Sequence, residues 1–361
     1  MIAPPPTSTP VSRATAFADQ RIPPNLRRLL AQMGITEPTP IQAQAIPVLL
    51  DGKDVIGQAR TGSGKTLAFG LPLVLRCDPA IRGVQALVLT PTRELANQVG
   101  EVIGQLAMAR GLRLTVLHGG RSLLPERQAL FSGAQIVIAT PGRTLDHLRQ
   151  GNLSLQNLRV FVLDEGDQML DRGFAPDVER ILFQAPKRRQ TALFSATMPD
   201  WVNATAARHL SNPVTVMVDP AITTPPEVEH TVYEVDAPAK LAALRTLLDR
   251  RGRAPILVFG RTKHGVKKLV RQLETLGYPV AALQGNMSQN ARDRAMAAFR
   301  SGATPILLAT NVAARGLDIE QIAQVINYDL PESAELFTHR TGRTGRMGRL
   351  GEVITLSLIH I

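Results

Sequence analysis

Cysteine is almost missing from the sequence: Cys77 stands alone among 361 residues. One thiol closes no intramolecular disulfide and builds no cysteine-rich zinc site, so the chain suits a reducing compartment. Aromatic residues are scarce too, at 4%, with one Trp and three Tyr. Proteins that grip single strands by stacking bases carry more of them. The sequence has no run of roughly 18 or more apolar residues and no basic-then-apolar leader, so neither a transmembrane helix nor a secretory signal is expected. Acidic residues are outnumbered 30 to 41 by Lys and Arg, for a formal net charge of +11. That excess favours a polyanionic partner, nucleic acid before a membrane. With so few aromatics, binding is expected to run along the sugar–phosphate backbone with little sequence preference.

What is present is enough apolar material for two cores. Hydrophobic residues make up 44% and charged residues 20%, and a prior of about 150 residues per domain suggests two domains. Residues 1–16, rich in Pro, Ser and Thr, are expected to form a disordered N-terminal arm. From 17 to 218, short apolar runs alternate with helical patterns. The strand candidates include Asp54–Gly57, Ala86–Thr90, Ile136–Ala139, Val160–Leu163 and Gln190–Phe194. Several are continuously apolar and β-branched, as strands buried on both faces of a parallel sheet are. Residues 219–227 hold three prolines and read as a linker. A second series, over 228–361, includes Ile256–Phe259, Val280–Leu283, Ile306–Ala309, Val325–Tyr328 and Val353–Leu356. The class is α/β.

The strongest local signal is ARTGSGKT at 59–66, between a strand candidate and a helical stretch. It fits the phosphate-loop pattern, with Ala59 at the first glycine. Gly62 and Gly64 let backbone N–H groups wrap phosphate oxygens, Lys65 brings a charge to the β- and γ-phosphates, and the Thr66 hydroxyl suits magnesium. The run VFVLDEGD at 160–167 ends an apolar strand in Asp164 and Glu165. Asp164 is suited to hold magnesium and Glu165 to orient or deprotonate the attacking water. Together these segments indicate an NTPase.

Further segments follow in a specific order: PTPIQ (38–42), PTRELA (91–96), Gly119–Gly120, TPGR (140–143), DEGD (164–167), SAT (195–197), ATNVAARGLDI (309–319) and HRTGRTGR (339–346). With the phosphate loop they resemble the motif series of the DEAD-box ATP-dependent RNA helicases, in the bacterial-type form, over nearly the whole chain. The resemblance implies two tandem RecA-like domains, each a mostly parallel sheet flanked by helices, the first binding ATP. It implies that Gln42 reads adenine, a role suited to an amide that donates and accepts together, with Thr39, Thr61 and Ser63 among the nucleotide contacts. Phe17 stands where the family has an aromatic that stacks on the base, or is a core residue of the first helix. Asp318 would contact the ribose. Arg343 and Arg346 would reach the γ-phosphate as arginine fingers, since guanidinium stays charged and forks onto two oxygens.

The same resemblance implies that Ser195 and Thr197 bond Asp167 and couple nucleotide state to RNA, and that His339 and Arg340 tie their motif to acids of the other domain. RNA contacts would come from Pro91, Thr92, Arg93, Gly120, Thr140, Gly142 and Arg143 in the first domain. Arg261, Gln289, Arg292 and Thr310 would supply them in the second. Hydroxyls, glycine backbones and arginines suit phosphate and 2′-OH groups.

Two features depart from the family pattern. Gly166 replaces the alanine of the motif's name, which should spare the chemistry and loosen the backbone at the acid turn. The end, LSLIHI (356–361), resembles a translated sequencing adapter, so the second domain is expected to be incomplete, with one sheet face left open after Val353–Leu356. The function expected is RNA-stimulated ATP hydrolysis, with ATP and Mg2+, by a cytoplasmic and monomeric core that separates short duplexes or remodels RNA–protein complexes. An ATP-dependent RNA clamp with little unwinding is the alternative. The sequence does not identify the RNA target or protein partners.

Overall fold

The computed structural model describes residues 17, 21–59, 62–218, 228–250, 254–284, 287–311, 322–342, 344 and 351–358. The expected arm, the linker at 219–227 and residues 359–361 lie outside them. The chain divides into two compact units, Met1–Ile222 and Thr223–Ile361.

The first unit runs α1 (Pro24–Gln32), α2 (Pro40–Leu50), β1 (Val55–Gln58), α3 (Lys65–Arg76), β2 (Ala86–Leu89), α4 (Arg93–Met108), β3 (Leu114–Leu117) and α5 (Leu123–Phe131). It continues through β4 (Ile136–Ala139), α6 (Pro141–Arg149), β5 (Val160–Leu163), α7 (Gly166–Asp171), α8 (Ala175–Gln184), β6 (Gln190–Ser195), α9 (Asp200–His209) and β7 (Val214–Met217). Its sheet has the order β3-β4-β2-β5-β6-β1-β7, with every pairing parallel. Because successive side chains point to opposite faces, a continuous apolar run feeds two cores. Val88, Ile138 and Val162 pack with α1–α4 on one face. Leu87, Val137, Phe161 and Leu163 pack with α6, α8 and α9 on the other.

The second unit contains β8 (Val228–Val235), α10 (Lys240–Arg250), β9 (Ile256–Gly260), α11 (Lys263–Thr275), β10 (Val280–Leu283), α12 (Gln289–Arg300), β11 (Ile306–Thr310), β12 (Gln324–Asn327), α13 (Ala334–Thr341) and β13 (Gly351–Leu358). The order is β10-β11-β9-β12-β13-β8, again with parallel pairings. Ile256, Val258, Ile326 and Ile354 pack with α10 and α11 on one face. Leu257, Leu307, Val325 and Val353 pack with α12 and Phe337 on the other.

Three strands, β3, β7 and β8, lie outside the apolar candidates. They occupy sheet edges, where one side faces water and the apolar signal weakens. The expectation of an open apolar face after Val353 needs correction. Val353, Ile354 and Leu356 are 1%, 2% and 1% exposed, whereas Val232 and Tyr233 of edge strand β8 are 64% and 42% exposed. Helices on both faces cover β13, so the exposure moves to the edge. Among the described residues, no helix is long and apolar enough to cross a membrane.

In a parallel sheet all carboxyl ends lie along one edge. The order β4-β2-β5-β6-β1 therefore sets TPGR, PTRELA, DEGD, SAT and the phosphate loop side by side. Strand order, which a linear sequence does not display, assembles the site.

Candidate functional site

The phosphate loop leaves β1 and enters α3. Gly62 and Gly64 have φ of 78° and 90°, in the left-handed region that disfavours a Cβ. Gly64 is needed for space as well. A Cβ there would stand 2.5 Å from Gln42 Nε2 and 2.9 Å from Thr39 Oγ1. Those two side chains clamp the loop: Gln42 Nε2 donates to Gly64 O at 3.0 Å and Thr39 Oγ1 donates to Ser63 O at 2.8 Å. Gln42 Oε1 also accepts from Thr39 N at 2.9 Å, closing a capping box at the start of α2. The buried Gln42 thus holds the loop, a contact the sequence did not reveal. An amide can serve two partners at each end, so the clamp leaves the base-reading role open. Ser63 Oγ is buried with no hydrogen-bond partner among the described residues. Lys65 is buried and donates from Nζ to Ala59 O at 2.9 Å; Thr66 is half-buried beside it.

The acids follow β5. Asp164, Glu165 and Asp167 are all buried. Glu165 has φ of 52° and caps α7. A left-handed non-glycine residue costs on the order of 1–3 kcal/mol and persists where its surroundings enforce it. Burial raises the Asp164 carboxyl pKa above its usual value, against the pull of the Lys65 charge and the Glu165 N–H. Asp167 is fixed from three directions. Its N–H donates to Ser195 Oγ at 3.0 Å, and Oδ2 accepts from Thr197 N at 2.9 Å and Thr197 Oγ1 at 3.0 Å. The expected Asp167–Ser195–Thr197 group is therefore brought together. Gly166 lies among ordinary neighbours: a Cβ would meet Val202 Cγ2 at 3.4 Å and Leu163 Cδ2 and Ser195 Oγ at 3.7 Å.

No group of three or more His, Cys, Asp or Glu side chains suited to a metal occurs among the described residues. The described residues thus offer no full protein cage for a divalent ion. Magnesium does fit: it takes one or two carboxylates and completes its shell with water and substrate phosphates. Asp164, buried at the end of β5, and the half-buried Thr66 are the side chains with oxygens suited to it.

Along the same edge, Thr92 caps α4 by accepting from Leu95 N at 3.0 Å, worth about 1 kcal/mol. Thr140 starts α6, and Pro91 is buried. The Arg93 guanidinium lies over Gly119 and Gly120, and a Cβ on Gly120, whose φ is 87°, would run into it. Gly142 has open space around it. Arg143 is a correction. Its side chain is 8% exposed and pairs with Glu126 at 3.0 Å. Its Nε donates to His118 O at 3.2 Å, and its Nη2 to Arg121 O. Glu126 also receives His147 Nε2 at 2.8 Å and His118 N at 3.2 Å. With its donors turned inward, Arg143 braces the glycine-pair loop rather than facing RNA. Phe17 is likewise packed in the core, 4% exposed with Ile22 and Leu26, which is the core alternative weighed above. Neither placement has a local signature, since the Glu126 partners lie 8 to 21 residues away.

In the second unit Thr310 is buried at the end of β11 and Arg261 is exposed beyond β9. Arg292 Nη1 donates weakly to Gln284 O at 3.4 Å. Arg340 is also turned inward. It is 3% exposed, and its partners belong to its own unit: Asn311 Oδ1 at 2.7 Å, Asn327 Oδ1 at 2.9 Å and Asp329 O at 2.7 Å. It also stacks over Phe259 at 4.9 Å. Burial lowers its pKa to about 10 despite Asp329. A guanidinium satisfied in this way holds β12 to the motif. Asp329 is fixed in turn by Lys240 Nζ at 2.9 Å and Arg261 N at 2.8 Å. Thr61, Asp318, Arg343 and Arg346, with the side chains of Gln289 and His339, lie outside the described residues.

Comparison with known proteins agrees with this arrangement. Residues 39–205 match the family model described as DEAD/DEAH box helicase, and 239–348 match the helicase conserved C-terminal domain. The chain is similar to the ATP-dependent RNA helicase DeaD of Klebsiella pneumoniae, 45% identical over 91% of this chain and 51% of that protein. It is 42% identical to the DEAD-box ATP-dependent RNA helicase CshA of Geobacillus kaustophilus, over 91% of this chain and 70% of that one. The chain thus spans about half the length of the DeaD relatives it matches. Among solved structures, S. cerevisiae Dbp5 bound to RNA and ADP BeF3 is similar, with a TM-score of 0.85 and 31% identity over 96% of this chain and 90% of that one. Motif order, two parallel sheets and these likenesses agree, and the chain belongs to the DEAD-box family of ATP-dependent RNA helicases.

Proposed function

We propose that the protein hydrolyses ATP in response to RNA and uses the cycle to separate short duplexes or remodel RNA–protein complexes, with Mg2+ as the metal. The observation that carries this reading is the cluster at the ends of β1, β5 and β6. There the Gln42–Thr39 clamp shapes the phosphate loop, and Asp167 joins the acid turn to the Ser195 and Thr197 hydroxyls. Lys65, charged and held at the loop, moves from Ala59 O to the β- and γ-phosphates. Glu165 orients the water and takes its proton. Asp164 and Thr66 would hold Mg2+, which would neutralise charge building on the phosphates. Because Asp167 bonds the SAT backbone directly, a shift of the acid turn is passed to that segment and on to RNA. Arg343, Arg346 and Asp318 enter through the family resemblance. Pro91, Thr92, Arg93, Gly120, Thr140, Gly142, Arg261, Gln289, Arg292 and Thr310 are the proposed RNA contacts. ATP and RNA both occur in the cytoplasm, and a monomeric core suffices for these roles.

The test is RNA-stimulated turnover together with release of a short duplex. Lys65→Ala should weaken ATP binding, and Glu165→Gln should keep binding and lose turnover. Wild-type turnover in Glu165→Gln would remove the assignment. ATP-dependent residence on single strands without duplex release would favour the clamp. Equal stimulation by DNA and RNA of one sequence would exclude RNA as the preferred partner.

A further inference from the structure

At the edge of the first sheet opposite the phosphate loop lies a cavity of about 550 Å³ lined by Gly52, Arg76, Arg159, Arg188, Arg189 and Gln190. Four arginines line it and, among the described residues, no carboxylate does. None of the four makes an ion pair among the described residues. The nearby carboxylates are occupied. Asp51 pairs with Arg21 at 2.7 Å, and Asp54 accepts from Thr191 N and Ser211 N, each at 2.7 Å.

The walls are built. Gly52 has φ of 81°, and a Cβ there would stand 2.9 Å from Arg76 Nη1, so the missing side chain gives that guanidinium its place. Gln190 Nε2 donates to Leu49 O at 2.8 Å and Lys53 O at 2.7 Å, fixing one corner. Arg189 Nη1 is held by Pro186 O at 2.7 Å, while its Nε is buried with no partner among the described residues. Asp54 offsets part of the Arg189 charge; the remaining like charges in the concavity repel one another, and a bound anion reverses that cost.

We propose that this cavity binds a compact polyphosphate, a ligand with two or more adjacent phosphate groups, at a site separate from the ATP site. The volume lies within the roughly 300–1,000 Å³ of small-molecule sites. Each phosphate carries about −1.5 to −2 charge, so a pair nearly balances four guanidinium groups, which fork onto phosphate oxygens. Separation follows from the topology. Arg76 ends the 12-residue α3 that Lys65 begins, a length of about 18 Å at 1.5 Å per residue. Gly52, Arg159 and Gln190 sit at the starts of β1, β5 and β6, whose far ends carry the phosphate loop, the acids and SAT. The concave shape favours a small ligand over a nucleic-acid backbone, which a flat basic surface serves as well.

The test is calorimetric titration of inorganic tripolyphosphate into protein saturated with ADP, so that the phosphate loop is filled. Arg159→Ala/Arg188→Ala is the variant, since both side chains are exposed and outside the catalytic set. One site is expected in the wild type, weakened at least about tenfold in the variant, with thermal unfolding and ATP affinity unchanged. Equal binding by both proteins overturns the proposal, as does no binding to ADP-saturated wild type. A variant that loses affinity for RNA but shows no tripolyphosphate difference also overturns it and assigns the patch to nucleic acid.

Discussion

Replacing Gly166 by Ala should stabilise the first unit and leave turnover intact. Gly166 begins α7, and its φ is not in the left-handed region. Glycine there leaves the unfolded chain more freedom than alanine would, and Gly→Ala at a compatible site contributes about 0.4–1 kcal/mol. The new methyl would touch Val202, Leu163 and Ser195 at 3.4–3.7 Å, ordinary contact distances. Filling that space adds at most about 0.8 kcal/mol. The sum is on the order of 1 kcal/mol, or about 2–4 °C in the melting midpoint for a unit of this size. Differential scanning calorimetry reads the midpoint and a coupled ATPase assay reads turnover. Because the methyl points at apolar neighbours and the Ser195 hydroxyl, turnover should stay within about threefold, less than 1 kcal/mol of barrier. A lowered midpoint would refute the packing argument. A tenfold loss of turnover at a raised midpoint would show that the acid turn needs the looser backbone.

Three further outcomes follow from the site. Gln42→Ala should lower ATP affinity and narrow the gap to GTP by about 1–3 kcal/mol, read by nucleotide titration; equal wild-type use of all four nucleotides would exclude the base-reading role. Arg143→Ala leaves Glu126 buried without its guanidinium and should cost about 3–5 kcal/mol of stability, read by denaturant unfolding; an unchanged midpoint with weakened RNA binding would restore Arg143 to the RNA face. Burial opposes ionised Asp329, but the Arg261 N–H and the Lys240 ammonium outweigh it and hold the carboxyl below its ordinary 3.8. That stability is present above pH 3.8 and lost as pH falls through the depressed value, so Asp329→Asn should be less stable at neutral pH and converge on wild type in acid; a constant difference across the acid limb would contradict this.

The sequence by itself determined the α/β class, because strands buried on both faces leave continuous apolar runs that water-facing strands cannot. Ten strands were legible, from Val55–Gln58 to Gly351–Leu358, the edge strand Val280–Leu283 among them; the edge strands Leu114–Leu117, Val214–Met217 and Val228–Val235 were not, because polar residues break their apolar runs. Residues whose chemistry is local were also legible: Gly62 and Gly64 by their backbone, Lys65 beside them, and Asp164 and Glu165 at a strand end. The tertiary structure alone decided where long side chains spend their hydrogen bonds. Arg143 and Arg340 carry motif positions, yet both are turned inward onto Glu126 and onto Asn311 and Asn327. The Gln42 clamp on Gly64 likewise joins residues 22 positions apart. A buried polar group must find a partner in space, and partners brought together by strand order leave no trace in sequence spacing.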